Sequence, residues 1–129
     1  MREIPTGLAN RYEIVPGAGH TAAAVGNAGV TVLATPFLIG CFELAAQGAI
    51  LPYCEAGEVT VGTRIEVDHL AAALPGRLVT ADARVAAVAG RRIVFEVEVR
   101  QGSRVLMRGR HGRAIVKLEK LLARAAAAE

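Results

Sequence analysis

Three side chains able to act as nucleophile and base stand out by type and spacing: Thr35, Glu43 and His69. Thr35 and Glu43 are eight positions apart, slightly over two helical turns, so on a helix they lie roughly on one face with Ile39 between. His69 falls near the end of an alternating strand, on its apolar side. A hydroxyl, a carboxylate and an imidazole converging on one wall make a nucleophile–base constellation. A helix N-terminus beside the hydroxyl adds partial positive charge where an oxyanion can form. Each residue also has a plainer use. Thr35 can serve as an N-cap, Glu43 can pair with an arginine, and His69 can be a satisfied core imidazole.

The element that must position them is Thr35–Leu51, TPFLIGCFELAAQGAIL. Thr35 is expected as N-cap and Pro36 as the first helical residue, where its missing N–H costs nothing. Beyond Phe37 the only strong hydrogen-bonding side chains are Glu43 and Gln47. A helix apolar all round is one that a sheet or a partner wraps on every side. It is shorter than the roughly 20 mainly apolar residues of a bilayer span. Glu43 is therefore expected as a carboxylate in apolar surroundings, where charge must be paired or used.

The rest of the chain reads as strands. Arg11–Val15 is a first strand ended by Pro16-Gly17, and His20–Val25 a second short extended piece. Gly26–Gly29 leads flexibly to the helix, a place for a lid or substrate entrance. After Pro52 and the turn at Ala56-Gly57, Val59–Leu70 alternates. Val59, Val61, Thr63, Ile65, Val67 and His69 point one way, Thr60, Gly62, Arg64, Glu66 and Asp68 the other. Leu78–Val88, Arg92–Arg100 and Arg104–Val116 follow, joined by short turns. Residues 117–129 form a terminal helix or an Ala-rich tail. Strand, long helix, then four strands predicts a meandering antiparallel sheet enclosing one buried helix, an α+β hot-dog pattern.

Composition narrows the function. At 129 residues the chain fits one domain, residues 1–129, and 53% of it is apolar although only 4% is aromatic. Fifteen basic and twelve acidic residues give +3, too mild and scattered for nucleic acid but compatible with a small anionic ligand. Arg108, Arg110, Arg113 and Lys117 make the last strand basic, and His111 shares a face with Arg113 by period. Cys41 and Cys54 lack metal-like spacing and read as free thiols. The N-terminal stretch has no apolar signal-peptide core, which predicts a cytoplasmic protein. No metal, nucleic acid or membrane partner is expected.

ATPFLIGCFELA, LPYCEAGEVTVGTRIEVDHLAAALPG and GRHGRAIV together resemble the fluoroacetyl-CoA thioesterase type of hot-dog protein, from about Leu33 to Glu119. The motifs are Thr-x7-Glu on the helix, Gly-Thr-x5-His on one strand and Gly-x-His-x-Arg on another. The resemblance implies that Thr35, Glu43 and His69 are catalytic and that Gly62 and Arg113 bind the acyl thioester. It also implies a homodimer that hydrolyses acyl-CoA, with CoA entering only as part of the substrate. One departure bears on substrate. Where the family's type enzyme has a longer, Phe-bearing segment before the helix, this chain has AAAVGNAGVTVLA, without an aromatic. The expected substrate is therefore a small or medium acyl-CoA other than the fluorinated one. The alternative is a non-catalytic acyl-CoA-binding hot-dog domain.

Overall fold

The computed structural model describes residues 1–127. Five strands form one antiparallel sheet: β1 (Ala9–Ile14), β2 (Glu58–His69), β3 (Val79–Ala89), β4 (Arg92–Gln101) and β5 (Arg104–Lys117). Helix α1 (Thr35–Ile50) lies across its concave face, and α2 (Leu118–Ala127) follows β5. This is the hot-dog architecture. The last two residues of the expected C-terminal helix or tail lie outside the described residues.

The sheet is not a simple meander. Its order is β1-β3-β4-β5-β2, so only β3, β4 and β5 follow one another as hairpins. β2 pairs with β5, and residues 70–78 carry the chain back toward the opposite edge. Both β1 and β2 are edge strands. The expected second extended piece at His20–Val25 is instead two single 3-10 turns, Ala18–His20 and Ala23–Val25. One isolated bridge, Thr21 to Leu33, holds that segment.

α1 ends where Pro52 forces a 3-10 turn at Leu51–Tyr53. With that turn it runs 19 residues at mean hydropathy 1.2, long and apolar enough to cross a membrane by length and composition. Here it is the core helix. Leu38, Cys41, Phe42, Ala45, Ala46, Ala49 and Ile50, recurring every three or four residues, are its buried face. They meet Val79, Ala81, Ala83 and Val85 of β3 and Ile93, Phe95, Val97 and Val99 of β4. Burying each large side chain contributes about 1.5–3 kcal/mol.

Within the single chain the sheet encloses one side of the helix and leaves the other open. Leu44 is 46% exposed, and Glu43 and Gln47 lie on the same open side. A five-stranded sheet covers only one face of a helix, and the sequence cannot distinguish a face buried by the sheet from one left apolar for another reason.

Strict alternation also fails, at three register slips, one of them at Leu106 of β5, where Val99 and Arg100 pair with Met107 and Val105. In β2 the register slips between Gly62 and Arg64, so Thr63 is an extra residue. Thr60 and Gly62 face the helix before the bulge, and Ile65, Val67 and His69 face it after, as their β5 partners show. Val59 and Val61 therefore do not share a face with His69. A second slip, at Ala86 in β3, turns Ala87 outward. The outer face of the sheet is a lattice of opposite charges. Asp82 accepts from Arg11 and Arg100, and Arg108 and Arg110 stand opposite Glu98 and Glu96 in register. The basic character expected of the last strand thus divides between two faces: Arg108 and Arg110 outside, Arg113 inside.

Where β2 and β5 meet, Gly109 has no room for a side chain. A Cβ there would stand 2.1 Å from the Glu66 carbonyl oxygen and 2.7 Å from the Val67 Cα. Both are backbone atoms, so the ladder itself would have to open. Gly109→Ala is expected to lower stability by about 1–3 kcal/mol, read as a fall in Tm. Gly19→Ala, with nothing within 4 Å of the new Cβ, is the control expected to leave Tm nearly unchanged.

Candidate active site

Thr35 is not the N-cap. That position belongs to Ala34, which offers no side-chain hydrogen bond, and Thr35 is the first residue of α1. The helix start is held by backbone instead. Leu33 N–H donates to the Ala73 carbonyl at 2.9 Å and Ala34 N–H to that of His20 at 2.9 Å. This leaves the Thr35 hydroxyl free of capping duty. It lies 2.8 Å from His69 Nδ1.

His69 is the last residue of β2, and the chain beyond it is pinned where Leu70 N–H donates to the Leu106 carbonyl at 2.7 Å. His69 Nε2 is 3.1 Å from the Ala71 carbonyl. A carbonyl can only accept, so Nε2 carries a proton, and the tautomer this selects has its lone pair on Nδ1. Thr35 Oγ1 is therefore the donor, with its proton aimed at a base. Both side chains are exposed to solvent. The open end of the helix places partial positive charge beside the hydroxyl.

Glu43 lies elsewhere. Eight residues of helix put its Cα about 12 Å along the axis from that of Thr35. Its side chain is 38% exposed, with Oε2 3.6 Å from Arg113 Nη1. It is not the enclosed, isolated acid that the apolar helix suggested. A Cβ on Gly62 would stand 2.9 Å from Glu43 Oε2, so the glycine is what lets the carboxylate approach β2. Arg113 is 4% exposed and its guanidinium is almost fully engaged. Nε donates to Thr60 Oγ1 at 2.9 Å, Nη2 to the Thr60 carbonyl at 3.1 Å, and Nη1 to His111 Nε2 at 3.2 Å. Burial lowers its pKa, and Glu43 opposes that.

The structure thus brings Thr35 together with His69, and Glu43 with Gly62 and Arg113. It does not bring the two groups together within one chain. Glu43 borders two openings. One, of about 280 Å³, is lined by Gly62, Thr63, Arg64, Ile65 and His111. The other, of about 470 Å³, runs along the open side of α1 past Phe37, Leu44 and Gln47. Sequence reasoning missed Thr60, whose slot on the helix side is set by the bulge. It also missed His20, whose ring stacks on Phe37 with centroids 4.3 Å apart. His20 had no motif to mark it.

A five-stranded antiparallel sheet curled on one helix, with a hydroxyl–imidazole pair at the helix start, defines a hot-dog thioester hydrolase. Residues 18–119 match the family described as fluoroacetyl-CoA-specific thioesterase. A fluoroacetyl-CoA thioesterase from Streptantibioticus cattleyicolor is 42% identical over 93 residues, covering 72% of this chain and 67% of that protein. The solved structure of the fluoroacetyl-CoA thioesterase FlK superposes with a TM-score of 0.92 at 31% identity, over 98% of both chains. A thioesterase superfamily member from Thermus thermophilus gives 0.89 at 32% identity, over 98% of this chain and 93% of that one. The chain belongs to the fluoroacetyl-CoA-specific thioesterase family.

Two outcomes follow from this geometry. In Gly62→Ala the new methyl meets the Glu43 carboxylate at 2.9 Å and the fixed His111 ring at 3.4 Å, so stability is expected to fall by about 1 kcal/mol. The Glu43 carboxylate should swing away, with its separation from Arg113 in a crystal structure of the variant rising above the present 3.6 Å. The second concerns acid. Burial is the main cause that lowers the His111 pKa from 6.5. The unfolded chain then binds this proton at a higher pH than the folded one does, so stability rises with pH through that window. The contribution should be complete above about pH 6.5 and fall as pH drops below it. Urea midpoints at pH 7.5 and 5.5 measure it, and His111→Phe should flatten the difference.

Proposed function

We propose that the protein is an acyl-CoA thioesterase that acts as a homodimer in the cytoplasm, on a small or medium acyl chain, with no cofactor beyond the CoA of its substrate. The hydrogen bond from Thr35 to His69 Nδ1 carries this reading, because it presents a nucleophilic hydroxyl to a base whose tautomer is already set. Thr35 Oγ1 attacks the thioester carbonyl carbon and its proton passes to Nδ1. The imidazolium so formed is stabilised by Nε2–H donation to Ala71, and the oxyanion faces the open helix N-terminus. The C–S bond breaks, and the CoA thiolate leaves with the proton from His69. Glu43 activates the water that then cleaves the acyl–Thr35 ester, which releases free acid and restores the hydroxyl.

Two observations support the dimer: the separation of the two groups and the free edge of β2. That strand is 12 residues long, with Ile65 44% exposed, and an unpaired edge of this kind is a template for a second strand. A subunit paired there is our proposal for how a second copy of the site residues reaches each Thr35–His69 couple. Binding of CoA esters is supported by FlK, a variant of which is solved in complex with acetyl-CoA. For the acyl group, the segment ahead of α1 contributes no aromatic side chain between Thr21 and Ala34, which supports an acyl group other than the fluorinated one.

Thiol release from acetyl-, propionyl-, hexanoyl-, phenylacetyl- and fluoroacetyl-CoA tests this directly. The wild type should turn over short unfluorinated chains at least as fast as fluoroacetyl-CoA. Thr35→Ala, His69→Ala and Glu43→Gln should each lose about 10²–10⁴-fold in kcat. A clear preference for fluoroacetyl-CoA would overturn the acyl assignment alone. Saturable binding of every ester without release would replace catalysis with an acyl-CoA-binding role, and a monomer by sedimentation would remove the dimer.

A further inference from the structure

His111 does no chemistry in the mechanism above, yet it is 0% exposed and both its ring nitrogens are engaged. Nδ1 lies 2.8 Å from the Arg64 carbonyl and so must donate. That leaves the lone pair on Nε2, which accepts from Arg113 Nη1 at 3.2 Å. The ring itself is fixed by aromatic neighbours. It meets Phe42 edge-on at 5.2 Å and lies along Phe95 at 6.5 Å between centroids. The charged groups that face it are Arg113 on its own strand and Glu43 from the helix; β2 presents the Arg64 carbonyl, and β4 an apolar ring.

These two hydrogen bonds tie the β2 bulge to the Arg113 guanidinium through one side chain, in addition to the backbone ladder between β2 and β5. Arg64 is the first residue paired with β5 after the Thr63 bulge. Arg113 is the cation beside Glu43. We propose that His111 is the positioning residue for the Glu43 end of the site: it locks the β2 bulge and the Arg113 guanidinium together in the one arrangement that sets the Glu43 carboxylate against Gly62. The imidazole touches no reacting atom. Its direction of donation matters, because a ring with its proton on Nε2 would face the guanidinium N–H with another N–H and leave the Arg64 carbonyl unpartnered. Thr60 does the matching work on the other side of the guanidinium, accepting from Nε and Nη2. The catalytic consequence rests on the thioesterase reading given above.

The test is a substitution series on the full chain. His111→Phe keeps an aromatic ring between Phe42 and Phe95 but makes neither hydrogen bond. His111→Asn can still donate toward Arg64, and His111→Gln can still accept from Arg113. We expect His111→Phe to lower kcat on the best acyl-CoA by about tenfold or more with KM changed less than about threefold, the pattern of an interaction needed in the transition state. Asn and Gln should each recover part of the loss, and Thr60→Val should lower kcat in the same way but less. Ring ¹⁵N shifts of His111 give a readout without substrate, with Nδ1 expected protonated and Nε2 not. A folded His111→Phe within twofold of an active wild type overturns the inference, as does a proton found on Nε2. Should His111→Phe fail to fold, equal kcat in wild type, His111→Asn, His111→Gln and Thr60→Val overturns it instead. A wild type that releases no thiol from any ester sinks the thioesterase reading first, and the catalytic role of His111 with it.

Discussion

One extra residue in β2 decides which side chains of that strand can meet the helix. Gly62 and His69 are seven positions apart, so in an unbroken strand they would face opposite sides of the sheet. Thr63, inserted between Gly62 and Arg64, reverses the phase and brings both to the concave face. The bulge is accommodated opposite Gly112, where a Cβ would crowd the Thr63 hydroxyl at 3.0 Å, and it is fastened where Arg64 accepts from His111. The positions of Thr60, Gly62 and His69 relative to the helix all depend on that single slip.

A second constraint is the cation buried beneath Glu43. Placing a guanidinium inside a small domain is costly unless its donors are matched. Arg113 meets that condition with the Thr60 hydroxyl and carbonyl and with the His111 ring. Glu43 supplies the opposite charge at 3.6 Å while keeping more than a third of its side chain in solvent. The carboxylate is thereby placed by charge yet stays accessible, a combination that a fully enclosed acid on an apolar helix could not offer.

The first turn of α1 shows a related economy of roles. Because Ala34 occupies the cap and the backbone of the preceding segment fixes the helix start, the Thr35 hydroxyl is released toward His69. The helix end keeps its unneutralised partial positive charge beside that hydroxyl. The two chemical groups then sit at separate stations along the helix.

Local pattern was enough to place the main elements within a residue or two, since Thr35-Pro36, the apolar run to Leu51, and the alternation of β3, β4 and β5 are statements about periodicity that neighbours reinforce. Thr35, Glu43 and His69 were brought forward as candidates by type and spacing, and Gly62 and Arg113 by the family resemblance. Three things were not legible. The sheet order puts β2 beside β5, the Thr63 bulge changes which residues share a face, and the hydroxyl of Thr35 is spent on an imidazole rather than on its own helix. Each depends on contacts between residues 30 or more positions apart, where the alternatives are equal in local energy and only packing separates them. The types of chemistry available were thus determined by the sequence. Which groups meet, and through which proton, was decided by the tertiary structure, because hydrogen-bond direction and strand phase exist only once distant segments are in contact.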